Sequence, residues 1–124
     1  NRWRSRDFDV MYNAWGQSIN PGNEQAEYWG SEAASREGSQ NYSGIADPGI
    51  DALIRKVIFA KDRDDQVAAV KALDRVLLAH HIVVPSYSSK SSRMAYWNTI
   101  AHGENLPEYS TGFPSIWWST RATN

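Results

Sequence analysis

Phe8, Val10 and Tyr12 alternate with Asp9, Met11 and Asn13. That period of two predicts a strand. The pattern runs out at Trp15-Gly16 and then at the turn residues Asn20-Pro21-Gly22. From Asn23 to Ala34 a short helix is expected, with Asn23 as its cap and Glu24 and Glu27 in the positive first turn. Ser35 to Ala46 is polar and glycine-bearing and reads as a loop. The period then becomes helical. Ile50, Leu53, Ile54, Val57 and Ile58 fall at i, i+3, i+4, i+7 and i+8, behind an Asp47 cap and Pro48 at the first helical position. Asp62 caps a second helix from Arg63 to about His81, which buries Val67, Val70, Leu73, Val76 and Leu77. The short break between the two makes them an antiparallel pair.

Ile82-Val83-Val84 is a continuous apolar run, as in a strand covered on both faces, and the strand extends through Pro85 to Tyr87. Ser88 to Ser92 is small and polar, the best candidate for a crossover between two bodies. Arg93 to Trp97 reads as one more short strand. Beyond Asn98 no period is sustained, and the tail carries the cluster Phe113-Pro114-Ser115-Ile116-Trp117-Trp118. So much aromatic surface needs something to pack against, and the first two-thirds of the chain do not supply all of it. Strand, helices, strand indicates an α/β architecture.

Composition narrows the function. The chain has 124 residues, 41% hydrophobic and 22% charged, with a net charge of −1. Near neutrality and the lack of a basic run argue against nucleic acid and anionic membranes as partners. No cysteine is present, which removes disulfides and thiolate chemistry. The first residue is Asn1 and methionine occurs at 11 and 94, so the sequence looks like a piece cut from something longer. Six Trp and six Tyr point either to a heavy aromatic core or to a cleft lined with flat rings.

Bond-making chemistry is not in view. Adjacent His80 and His81 on a helix point roughly 100° apart and do not chelate as an i, i+4 pair does. His102 stands alone, and the Asp62, Asp64, Asp65 group is explained by a helix N-terminus. No nucleophile elbow, phosphate loop or dinucleotide fingerprint occurs. The expectation is a non-enzyme with no catalytic residue, no metal and no cofactor. Trp15 beside Gly16 makes a good lip for a ligand cleft, because glycine lets another backbone approach. The competing reading is a core strand running into a loop, with Trp15 as packing.

Several ordered motifs together carry a resemblance over nearly the whole chain. They are Arg6-Asp7-Phe8-Asp9 leading to Trp15, then Asn20-Pro21-Gly22-Asn23-Glu24 and Gly38-Ser39-Gln40-Asn41-Tyr42-Ser43-Gly44. Asp47-Pro48-Gly49-Ile50-Asp51-Ala52-Leu53-Ile54, Ala72 to Leu77, Val84-Pro85 and Gly112-Phe113-Pro114 with Trp117-Trp118 complete the set. The chain resembles the family 5 extracellular solute-binding proteins of ABC importers, most of all the microcin C/oligopeptide-binding, YejA-like branch. The resemblance implies a two-lobed periplasmic binding protein of type II, of which this is a C-terminal fragment. Residues 1–88 would be the C-terminal part of lobe II, 89–93 the hinge crossover, and 94–124 a tail packing on lobe I. The implied partners are a peptide ligand, the remaining N-terminal part of the same protein and an ABC permease in the inner membrane, and no nucleic acid. The implied localisation is periplasmic, with a signal peptide on the missing part.

The same resemblance implies ligand binding by Asn13, Ala14, Trp15, Gly16, Gln17, Ser18, Asn41, Tyr87 and Ser89. In several relatives an Asp three residues after the Trp binds the amino end of the peptide; here that position is Ser18. Neutral hydrogen bonds from Asn13, Gln17 and Ser18 take its place. The rival functions are a carbohydrate-binding module using stacked Trp and Tyr, and part of a hydrolase whose catalytic residues lie elsewhere.

Overall fold

The computed structural model describes residues 2–89 and 91–121. The chain is a small α/β piece that divides into two compact units, Asn1–Pro85 and Ser86–Asn124. The division falls between Pro85 and Ser86, three residues before the expected end of the first segment at 88. Lys90, inside the expected 89–93 crossover, and residues 122–124 of the expected 94–124 tail lie outside the described residues.

The first unit is helical. It holds α1 (Glu24–Trp29), α2 (Ser31–Ser35), α3 (Pro48–Ile58) and α4 (Arg63–Ala79). The α3 helix starts as its sequence dictates: the Asp47 carboxylate accepts from the N–H groups of Gly49 and Ile50, and Pro48 opens the first turn. Its apolar stripe then buries Ile50, Ile54 and Val57 against Ala69 and Leu73 of α4 and against Tyr28 and Trp29 of α1. Each such side chain, fully buried, contributes about 1.5–3 kcal/mol, against about 1 kcal/mol for a cap, so the stripe decides the packing and the cap its register. Asp62 accepts from the N–H of Asp65 to start α4. At the far end the His80 imidazole comes within 3.8 Å of Asp47, so the end of α4 returns to the start of α3. The helices are therefore an antiparallel pair.

One expected helix is two. Gly30 is extended (φ −75°, ψ 147°) and separates α1 from α2. A Cβ there would lie 2.6 Å from the Ala26 carbonyl oxygen, so only glycine fits this sharp corner. Asn23 does not cap: its backbone is helical and its side chain makes no capping hydrogen bond.

The expected strands at 8–12 and 82–87 are not strands, so the order strand, helices, strand for residues 1–88 is corrected to helices alone. A strand exists by virtue of a paired neighbour, and among the described residues neither segment has one. From Val10 onward the phase of the first is also reversed. Val10 and Tyr12 are 89% and 79% exposed, while Met11, Asn13 and Trp15 are half-buried. Ile82 and Val83 pack on the helical core, but Val84 is 91% exposed.

An arginine ties the N-terminal segment to the helices. Arg6 sits in the left-handed region (φ 56°), and its guanidinium donates to the carbonyls of Asn41 at 2.9 Å, Ala33 at 3.1 Å and Arg36 at 3.3 Å. A fourth bond goes to Ser39 Oγ at 2.9 Å. Among the described residues no carboxylate pairs with it.

In the second unit β1 (Ile100–His102) pairs antiparallel with β2 (Trp117–Ser119), in the register Ile100↔Ser119, Ala101↔Trp118 and His102↔Trp117. Arg93–Trp97 is not a strand. Trp117 centres the unit: its ring lies 4.4 Å from His102, 4.8 Å from Tyr96 and 5.8 Å from Phe113, and its N–H donates to the Thr111 carbonyl at 2.7 Å.

Hydrogen bonds to a charged group are worth about 1.5–3 kcal/mol each. Arg6→Ala should therefore lower the unfolding free energy by at least about 3 kcal/mol, read from the urea midpoint. Arg6→Lys should recover only part of it, because an ammonium cannot reach four divergent acceptors as the planar fork does.

Candidate functional site

The segment from Trp15 to Ser18 lies across α1 and is fastened to it by side chains. The Tyr28 hydroxyl donates to the Gly16 carbonyl at 2.9 Å, and Gln25 Nε2 donates to Gln17 Oε1 at 2.7 Å. Tyr28 and Gln25 stand three residues apart on one helix face and are both buried. Ser18 Oγ lies 2.9 Å from Glu24 Oε1 and also reaches the Asn20 carbonyl; its single proton serves one acceptor at a time. Further along, α4 takes hold: Gln66 Nε2 donates to the Pro21 carbonyl at 3.0 Å and Arg63 to Asn20 Oδ1 at 3.3 Å.

Main-chain pairing is missing from the same stretch. Among the described residues, no backbone–backbone hydrogen bond is made by any residue from 8 to 21. It is a ribbon held by side-chain clasps, which use the Gly16, Asn20 and Pro21 carbonyls and leave its backbone N–H groups without a main-chain partner among the described residues. Gly16 is exposed, and a Cβ on it would meet nothing within 4 Å.

Trp15 faces inward. Its ring lies 5.0 Å from Trp29 and 6.0 Å from Tyr42, at tilts of 41° and 45°. It is half-buried and packs against the helical core. Its indole N–H is buried without an acceptor, an arrangement that costs about 1–3 kcal/mol. Trp15 thus takes part in the packing that the sequence offered as the alternative to a ligand lip.

Asn41 is wholly buried, and its Nδ2 donates to the carbonyls of Gly30 at 3.0 Å and Ile45 at 2.9 Å. Ser43 Oγ donates to its Oδ1 at 3.1 Å. The side chain fixes the α1–α2 corner and the following loop. Tyr87 and Ser89 belong to the other unit; Tyr87 is exposed, and Ser89 Oγ donates to the Ser91 carbonyl at 2.7 Å. Of the expected residues, the structure brings Trp15 to Ser18 together on α1 and sets Asn41 in the support of that unit.

Gln25, Tyr28 and Glu24 are the residues that the sequence reading missed. Two polar-tipped side chains three apart on a short helix were the available signal for the first two. Glu24 had been assigned only to the helix start. Burial acts to raise the pKa of its carboxyl, but the hydrogen bonds from its own backbone, Ser18, Gly22 and Gln25 outweigh that and hold it below the usual value. No set of three or more His, Cys, Asp or Glu residues able to hold a metal occurs among the described residues.

No family model matches the chain. Individual relatives do. The chain is 59% identical over 124 residues to "Probable peptide-binding protein YejA" of Agrobacterium fabrum, covering 100% of this chain and 20% of that protein. It is 60% identical over 122 residues to protein y4wM of Sinorhizobium fredii, covering 98% of this chain and 18% of that protein. A binding protein of Brucella melitensis is 40% identical over 119 residues, covering 96% and 19%. The chain spans about a fifth of the length of the curated relatives it matches. They carry the names of binding proteins rather than enzymes where a role is named.

A carboxyl whose pKa is lowered by folding adds stability above its unfolded value and loses it as the pH falls through the folded value. The Glu24 contribution is thus present above about pH 4.5 and disappears below it. The melting temperature of Glu24→Gln should fall less steeply than that of the unaltered protein between pH 5 and pH 3, roughly the range over which a carboxylate of this kind titrates.

Proposed function

Taking this chain as a segment of a YejA-like binding protein, we propose that it forms part of a solute-binding protein of an ABC importer. That protein captures extended peptides between two lobes and delivers them to a membrane permease. The observation that carries the reading is the ribbon from 8 to 21, whose backbone groups make no main-chain pairs among the described residues. An extended peptide can add to such a ribbon as a strand, with affinity from backbone pairing and little demand on sequence. Asn13 to Ser18 are the contact stretch in this reading. Asn41 acts by positioning the corner beneath. Trp15 presents its remaining exposed surface while its other face rests on Trp29 and Tyr42.

The remaining parts of the proposal follow from the same premise. Residues 86–121 leave Tyr87, Trp97, Tyr109, Phe113 and Trp118 exposed, a surface suited to burial against the other lobe. Residues 89–93 act as the hinge crossing that closure requires. The location is periplasmic; no helix among the described residues is long and apolar enough to cross a membrane. Of the three relatives reported above, two are named for binding, one of these for peptides, and none is named for hydrolysis.

Calorimetric titration of the full-length protein with short peptides and with oligosaccharides tests the ligand class. Peptides should bind, sugars should not, and methylating one inner peptide nitrogen should weaken binding about tenfold, near 1.4 kcal/mol. Binding of sugars alone would overturn the proposal. Gly16→Val tests the place. Open space surrounds Gly16, so the melting temperature should stay within a few degrees while peptide affinity falls about tenfold. Unchanged affinity would move the ligand elsewhere.

A further inference from the structure

An amphipathic helix pair ordinarily turns polar side chains to water on the side that its core does not use. Here that side is filled only in part. Beside the buried stripe of Ile50, Ile54 and Val57, α3 and α4 enclose an open groove of about 740 Å³. Its α4 wall carries Ala68 and Ala72, short side chains that leave the space open. On the α3 wall stands Phe59, the residue that ends the helix, 78% exposed. An aromatic ring left in water beside an apolar groove marks an interaction surface.

The charges on this patch are sorted by wall. Arg55 and Lys56 line the α3 side and Asp65 the α4 side, with Lys61 in the turn between the helices. All four are exposed, and among the described residues none is in a salt bridge. A patch that holds a projecting ring, a hollow, a basic edge and an acidic edge is complementary to itself. A two-fold axis along the groove lays the α3 wall of one copy over the α4 wall of the other. Phe59 then enters the space left by Ala68 and Ala72, and Arg55 and Lys56 meet Asp65, twice over by symmetry. The buried rings supply most of the affinity, while the exposed charges fix the register and add little energy.

We propose that the α3–α4 groove pairs this protein with a second copy of itself as an isologous dimer. The patch is smaller than the roughly 20–30 residues a side of a standard interface. The pair is therefore weak and reversible, with a dissociation constant on the order of 10–100 μM.

Sedimentation equilibrium of the full-length protein from about 1 to 500 μM spans that constant and tests the pairing. The average mass should rise with concentration toward that of two copies. Phe59→Ser should weaken association at least about tenfold. The ring is exposed, so the melting temperature of this variant should stay within a few degrees. Charge reversal gives a second, independent arm. The double variant Arg55→Glu/Lys56→Glu and the single variant Asp65→Lys should each self-associate more weakly, because like charges then face each other. An equimolar mixture of the two should pair again, since each wall meets its opposite in the mixed dimer. A full-length protein that stays monomeric to about 500 μM overturns the proposal. A dimer that keeps its strength in Phe59→Ser or in the charge variants forms through another face and overturns it as well. So does a mixture that associates no better than either charge variant alone.

Discussion

The Arg6 guanidinium meets its charge with oxygens that carry only partial charge. Three backbone carbonyls and a hydroxyl, contributed by residues 33, 36, 39 and 41, surround it. Two of these carbonyls, of Ala33 and Arg36, belong to the end of α2 and the turn after it, and each also accepts one backbone N–H, from Arg36 and Ser39. The arrangement satisfies a half-buried cation and adds a second donor to the carbonyls at the end of α2. It also carries the N-terminal segment across to the helices, since residues 2–7 are otherwise joined to each other by local bonds and to the loop by the Gly38 N–H on the Arg4 carbonyl.

From that tie the support of the ribbon follows. Arg6 holds the Asn41 carbonyl, the Asn41 amide holds Gly30 and Ile45, and Gly30 sets the angle between α1 and α2. The adjoining Tyr42 stacks on Trp15 and on Trp3. The α1 helix, placed in this way, offers Tyr28, Gln25 and Glu24 to Gly16, Gln17 and Ser18. The ribbon is accordingly fixed by side chains from below while its backbone remains unpaired. A surface of that kind differs from an ordinary loop, because its shape is set before any ligand arrives and less ordering is left to be done on binding.

The cost is visible at Trp15. Stacking on Trp29 and Tyr42 leaves its indole N–H without an acceptor. Aromatic contact outweighs the missing bond, since a ring of this size buries a large apolar area. The two roles that the sequence offered for Trp15, packing and ligand lip, are divided between its faces in the proposed reading.

Much of this was legible in the sequence because it depends on neighbours along the chain. The α3 stripe, the Asp47 and Asp62 caps and the Pro48 start are local features, set within one or two turns. Period two at residues 8–12 predicts a strand, but the chain bends at Asp9, pairing depends on a partner strand, and alternation cannot say which face turns inward. The structure chose Met11, Asn13 and Trp15. Nor could three-residue strands such as Ile100–His102 and Trp117–Ser119 show any period; their register is a long-range contact centred on His102 and Trp117. The Arg6 knot, the Asn41 corner and the Glu24–Ser18 contact join positions separated by 35, 11 and 6 residues. No local rule reaches that far, because such bonds form only after hydrophobic burial has brought the segments together.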